Sequence, residues 1–145
     1  MHRTLLLALL FALSFLGIAD SWYLYQSAVT DTALSCDIGA GLDGCNTVAQ
    51  SPYSYLFGIP LALYGVGFFA FVCALAAALT LFPARFLYRA LLALSVFGTG
   101  ASAVFLYIQF VLIKALCIYC IASAVIVALM LLIAHTLWKR NTSFL

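Results

Sequence analysis

The chain has 145 residues, of which 68% are hydrophobic and only 7% charged, with a net charge of +2 and a mean hydropathy of +1.23. Soluble domains carry roughly a quarter charged residues, so composition excludes that class, and no basic excess points to a nucleic-acid partner. What remains is a polytopic membrane protein, expected to be all-α because a lone apolar segment satisfies its backbone in lipid only as a helix.

A span needs about 20 apolar residues at about 1.5 Å each, and four stretches meet that length. The first runs from Leu5 to about Tyr25, with Asp20 near its far end. Its start, "MHRTLLLALLFALSFLGIAD", also has the parts of a signal peptide: a basic residue, an apolar run and a small-x-small site at Gly17-Ile18-Ala19. The apolar run continues through Trp22, Leu24 and Tyr25 as an interfacial belt would, so a retained helix is the expectation. Residues 28–56 form one long polar loop containing "CDIGAGLDGC", where Gly39, Gly41 and Gly44 permit a tight turn. Cys36 and Cys45 can close across it to the roughly 5.5 Å Cα separation of a disulfide. In the following "NTVAQSPY", Asn46 or Thr47 is expected to cap a short helix over the bundle mouth, and Pro52 to end it.

The second span is expected at about 57–82, with Gly58, Ala62 and Gly65 as a small-residue packing face. The third is expected at 90–113, with Ser95, Thr99 and Ser102 in the same role, and the fourth at 115–138. Together they predict a single domain, a four-helix membrane bundle with a long outer loop that carries a short helix.

Lys and Arg set the orientation. Arg3, Arg85, Arg89, Lys139 and Arg140 fall on one side, which is expected to be cytoplasmic along with both termini. The other side holds Lys114 with Asp31, Asp37 and Asp43, and Asp20 lies just inside that face. Cys36, Cys45, Cys117 and Cys120 are then all outward, where disulfides persist. Cys73 sits mid-span and reads as a small buried hydrophobe.

"KALCIYCIA" places Cys117 in the first turn of the fourth span. Free N–H groups, the helix dipole and Lys114 all favour its thiolate there. Cys120 lies almost one turn deeper on the same side. One pair thus sits on a loop within reach of a soluble thiol protein, and the other at the mouth of an apolar interior. Thiol–disulfide exchange passes two electrons between such pairs, and a membrane quinone suits the apolar end. No nucleotide-binding glycine pattern is present. The same cysteines would also serve a non-catalytic subunit with structural disulfides or a four-cysteine zinc site. Asp20 is open between capping, pairing with Lys114, reaching the headgroups and a functional role.

The chain resembles the vitamin K epoxide reductase family, and within it the bacterial homologues. The resemblance is carried by "DSWYLY", "CDIGAGLDGCNTV", "SPYSYLFGIPLALYG" and "LCIYCIASA". DsbB-type quinone reductases also have four spans and two cysteine pairs, but their C-x-x-C comes in the first outer loop. The resemblance implies that Cys36 and Cys45 relay electrons from a thioredoxin-fold partner and that Cys45 attacks Cys117. Cys120 is then freed beside a quinone, ubiquinone or menaquinone. It implies that Ser51 and Phe57 line the quinone region. Mammalian members carry a Thr-Thr-Tyr run after the C-x-x-C, whose Tyr reaches the quinone oxygen. Here Ala122, Ser123 and Ala124 stand in its place, and the second span has no Asn, which favours a plain quinone over an epoxide. With no fused thioredoxin-like domain before Leu145, the expected partner is a separate extracytoplasmic DsbA-type protein, and the expected location a bacterial plasma membrane.

Overall fold

The computed structural model describes residues 2–36 and 44–142. Gly39 and Gly41, read above as turn residues, and Asp37 and Asp43, read as outward charges, lie outside the described residues. The elements, in chain order, are α1 (His2–Thr30), a short α2 (Cys45–Ala49), a 3₁₀ turn (Pro52–Ser54), a two-stranded hairpin of β1 (Tyr55–Leu56) and β2 (Ile59–Pro60), α3 (Leu61–Leu81), α4 (Arg85–Tyr107), a π-helical turn (Ile108–Ile113) and α5 (Ile118–Thr142). Among the described residues, four helices are long and apolar enough to cross a membrane: His2–Thr30, Leu61–Leu81, Arg85–Ile113 and Ile118–Asn141. This is the expected all-α membrane bundle.

Close contact in lipid comes from interdigitation and small residues, not from hydrophobic exclusion. Leu10, Leu79, Leu91 and Met130 are fully buried at the centre of one core drawn from all four long helices. At Gly17 of α1 a Cβ would collide with the ring of Phe69 on α3, so only glycine lets the two helices close. Ser95 is buried on α4 and returns its hydroxyl to Leu91 O at 2.8 Å, so it packs without an orphaned polar atom.

Several boundaries differ from the sequence expectation. α1 has 29 residues, about 43 Å at 1.5 Å each, which exceeds an apolar core of about 30 Å. Its length therefore exceeds what a straight crossing needs, and Asp31 at φ 51° ends the helix in a left-handed turn. The second span starts at Leu61 and not at 57, because Tyr55 to Pro60 pair as a hairpin with the register Tyr55–Pro60 and Leu56–Ile59. Gly58 belongs to its turn (φ 78°) and not to a helix-packing face. The third span begins at Arg85, five residues earlier than 90. Helix α2 forms where expected, but its N-cap is Gly44 and no side chain caps it. Asn46 instead clamps Leu34, accepting from its N–H at 2.8 Å and donating to its carbonyl at 3.2 Å.

The two ends of the bundle differ chemically. At one end Arg3 donates to the Leu79 carbonyl and the Tyr88 hydroxyl, joining α1, α3 and α4. There too the Arg89 guanidinium lies 5.3 Å from the Trp138 ring centroid. Cys36, Cys45, Cys117 and Cys120 all lie at the opposite end.

Candidate active site

Cys36 and Cys45 are joined by a disulfide with Cα atoms 6.1 Å apart. Cys117 and Cys120 are free thiols. Cys36, Cys45 and Cys117 are buried in one small cluster with Leu34 and Val48, and Cys120 packs against it. The two pairs therefore meet, although Cys45 and Cys117 are far apart in sequence. A local reason lies at Gly44. Its N–H donates to Leu116 O at 3.1 Å, and a Cβ there would stand 2.7 Å from that of Ala115. Only a bare α-carbon lets the start of α2 rest directly on the segment before Cys117.

The loop is pinned on its other side by two tyrosines. The Ser35 N–H donates to Tyr23 Oη at 3.2 Å, and the Tyr119 hydroxyl donates to Ser35 O at 2.7 Å. Their rings pack 5.2 Å apart. Tyr119 is one of the two residues between the cysteines of the C-x-x-C, so the motif grips the neighbour of Cys36 directly.

Cys117 occupies the residue before α5, the N-cap position, and its sulfur accepts the Cys120 N–H at 3.4 Å. The Cys120 thiol beside it holds the Cys117 pKa below the ordinary thiol value, helped by the backbone N–H groups of Cys120 and Tyr119. Burial and the negative charge of Asp20 oppose this. Lys114 stands exposed in a left-handed conformation (φ 56°), and the groups acting on Cys117 are these local ones.

A cavity of about 270 Å³ opens beneath the thiols, with Cys45, Cys117 and Cys120 all in its wall. The rest of the wall is mostly aromatic and aliphatic, including Phe68, Phe69, Phe105 and Val127. Tyr64 of α3 and Phe97 of α4 belong both to this wall and to the exposed outer face, so the cavity reaches the surface that lipid would cover. Its polar atoms come from Ser51, Ser54, Gln109 and Ser123, among others. A flat apolar ring with two carbonyl oxygens matches such a lining.

Ser51 is thus brought to the cavity with the cysteines. Its hydroxyl donates to Val48 O at 2.7 Å and lies 3.2 Å from Ser54 Oγ. Phe57 is not brought there. It is the first turn residue of the hairpin, at φ 54°, is 91% exposed, and lies outside the cavity wall. A two-residue turn with both φ values positive keeps the strands paired, and it carries this ring away from the bundle. Cys73 is half-buried in α3, away from the two pairs.

Two contributors were not singled out from the sequence. Gln109 is 3% exposed; its Oε1 accepts the Cys117 N–H at 3.2 Å, and its side chain also reaches Cys120. The π-helical turn that begins one residue earlier widens the helix at this point, a frequent device at functional sites. Ser123 of α5 donates to Asp20 Oδ2 of α1 at 2.5 Å. This settles Asp20's structural partner as Ser123 and not Lys114. An amide inside an uninterrupted apolar run was the available signal for Gln109; for Ser123 it was its closeness to Cys120, within the Ala122–Ala124 run compared above with the mammalian Thr-Thr-Tyr.

The sequence matches the vitamin K epoxide reductase family over residues 8–135. It is also similar to "Thiol-disulfide oxidoreductase LTO1" of Arabidopsis thaliana, with 34% identity over 115 residues. That alignment covers 72% of this chain and 29% of the plant protein, so the chain spans less than a third of that relative's length.

Proposed function

The chain belongs to the vitamin K epoxide reductase family, and from that premise we propose that it is a membrane thiol–disulfide oxidoreductase that forms disulfides in an extracytoplasmic thioredoxin-fold protein and passes the electrons to a quinone. The observation that carries this reading is the burial of the Cys36–Cys45 disulfide against Cys117, with Cys45, Cys117 and Cys120 in the wall of one lipid-facing cavity.

The chemistry follows from exchange between sulfurs. A dithiol on the partner reduces the Cys36–Cys45 disulfide and is itself oxidised. The Cys45 thiolate attacks the sulfur of Cys117 in a Cys117–Cys120 disulfide, and Cys120 leaves as a thiolate at the cavity. Cys36 then resolves the Cys45–Cys117 bond, which restores the loop disulfide and leaves the helix pair as a dithiol. That dithiol is the state seen here: loop pair closed, helix pair free. The N-cap position favours Cys117 as the leaving thiolate in this last step. Bound at the serines and Gln109, a quinone would supply a two-electron, two-proton sink. The apolar walls would exclude water from the thiols.

The test is reconstitution in lipid with a DsbA-type partner and ubiquinone or menaquinone. Wild type should oxidise the partner with quinone present. Cys117→Ala and Cys120→Ala should each abolish this, while Cys73→Ala should retain it. Full activity in either C-x-x-C variant would overturn the mechanism. A C-x-x-C pair that no quinone reoxidises, or stoichiometric zinc, would instead favour a structural subunit.

A further inference from the structure

Asp20 is the only carboxyl in any of the four spans. It lies on α1, half-buried, and among the described residues its hydrogen-bond partner is the Ser123 hydroxyl, a neutral group. Ionisable residues in a span are costly and are functional candidates by default, proton relays among them. Ser123 is also part of the cavity wall and lies three residues after Cys120 on α5, so the two side chains are neighbours on one helical face. Asp20 is thus one hydroxyl away from the cavity and near enough for its charge to act on Cys117 and Cys120.

A serine has one proton to donate. In the observed arrangement Ser123 gives it to Asp20, so the cavity sees only the serine's lone pairs. If the carboxyl gains a proton, the direction reverses. The acid then donates to Ser123 Oγ, and the serine proton turns toward the cavity. The pair can therefore carry one proton and, in carrying it, present a donor to whatever occupies the cavity.

We infer that Asp20 and Ser123 form the proton carrier of the C-x-x-C, Asp20 taking up through the Ser123 hydroxyl one of the protons released when Cys117 and Cys120 close to a disulfide. In that closure two S–H bonds break and one S–S bond forms. Two electrons leave to the quinone-class acceptor, whose two oxygens are then protonated to the hydroquinone, one by the proton held on Asp20 and returned through Ser123 Oγ and one from the wet end. The Cys120 proton moves to Ser123 Oγ as the Ser123 proton moves to Asp20, and the Cys117 proton leaves at the wet end of the helix. Asp20 acts through Ser123 and is a positioning and proton-holding residue. The titratable groups around it are Cys117, Tyr119 and Cys120 on the α5 side and Tyr23 on α1 itself. The other helix packed on α1, α3, has no charged residue and only Tyr64 and Cys73 as titratable groups.

This rests on the oxidoreductase reading, and its test separates the two. The full-length protein in lipid is compared by infrared difference spectroscopy between the dithiol state and the disulfide state made with ferricyanide, which takes electrons and no protons, with no quinone present. A protonated-carboxyl C=O band should appear on closure, vanish in Asp20→Asn and shift in Ser123→Ala. Asn keeps the side-chain shape and an oxygen that accepts from Ser123, so a purely structural Asp20 would leave Asp20→Asn near wild type. Turnover from dithiothreitol to a soluble benzoquinone should instead fall about a hundredfold, lose one limb of its pH profile, and recover in part in Asp20→Glu. No carboxyl band in wild type, or a band that persists in Asp20→Asn, would overturn the inference. Absence of benzoquinone turnover in wild type would overturn the oxidoreductase reading, while the spectroscopic result would stand on its own.

Discussion

Gln109 is the only amide in the third span, Arg85–Ile113. Its Oε1 satisfies the N–H of Cys117, a residue only 1% exposed. A buried donor left without a partner costs about 1–3 kcal/mol. Gln109→Leu keeps the volume and removes the acceptor, so it should destabilise the fold by that amount in a thermal or denaturant titration in detergent. An unchanged midpoint would mean that Cys117 finds another acceptor. The reactivity of Cys117 gives a second residue-scale prediction. Its pKa is depressed, with the Cys120 thiol as the largest cause. Cys120→Ala should therefore move the midpoint of Cys117 alkylation to higher pH. Asp20→Asn should move it lower, because the Asp20 charge works against the thiolate. Both shifts can be read by mass spectrometry of iodoacetamide adducts across pH. Shifts of the opposite sign would rule out these causes.

At the scale of elements, the fit of α2 onto the segment before α5 sets how closely the two cysteine pairs approach. Gly44 is the contact point, with a would-be Cβ 2.7 Å from Ala115 Cβ and 2.8 Å from Leu116 N. Gly44→Val should lift α2 by about an ångström. Misplacement of that order costs about a hundredfold in a positioned reaction. Exchange between the loop and helix pairs should slow accordingly in a rapid-quench gel-shift assay, while the four long helices, far from this contact, keep their content by circular dichroism. Wild-type exchange would show that the pairs meet by another route. The elements also show what the sequence could carry. Hydropathy alone located four spans, and the cluster after Cys45 located α2, because both signals are local. "YLFGIP" is apolar and runs without a charge into the span it precedes, so hydropathy does not separate a hairpin from a helix start. Its left-handed Phe57 and Gly58 were hidden in that run, and so was the outward direction of the Phe57 ring. The Ser123–Asp20 bond joins residues 103 positions apart and the Tyr119–Ser35 bond residues 84 apart. Neither leaves a periodic or compositional trace, because each depends on how helices meet and not on what either helix is.

Across the whole molecule, the redox residues and the basic residues are separated to opposite ends. Arg3, Arg85, Arg89, Lys139 and Arg140 stand at the end where Arg3 ties α1 to α3 and α4 and Arg89 covers Trp138. Lys114 is the single cation at the cysteine end. Basic residues beside spans stay on the cytoplasmic side, so this asymmetry predicts that the cysteines face the oxidising compartment. The orientation can be tested with one cysteine added at each end. Thr47 on α2 and Ala84 between α3 and α4 are both exposed, and neither side chain is among those placed above at the redox site. In intact cells a membrane-impermeant maleimide should label Thr47→Cys and spare Ala84→Cys, and after permeabilisation it should label both. The native thiols give little background, because Cys117 is 1% exposed and Cys36 and Cys45 are bonded to each other. The reverse pattern would put the loop disulfide in the reducing compartment, where it could not persist, and would remove the physical basis for outward disulfide formation.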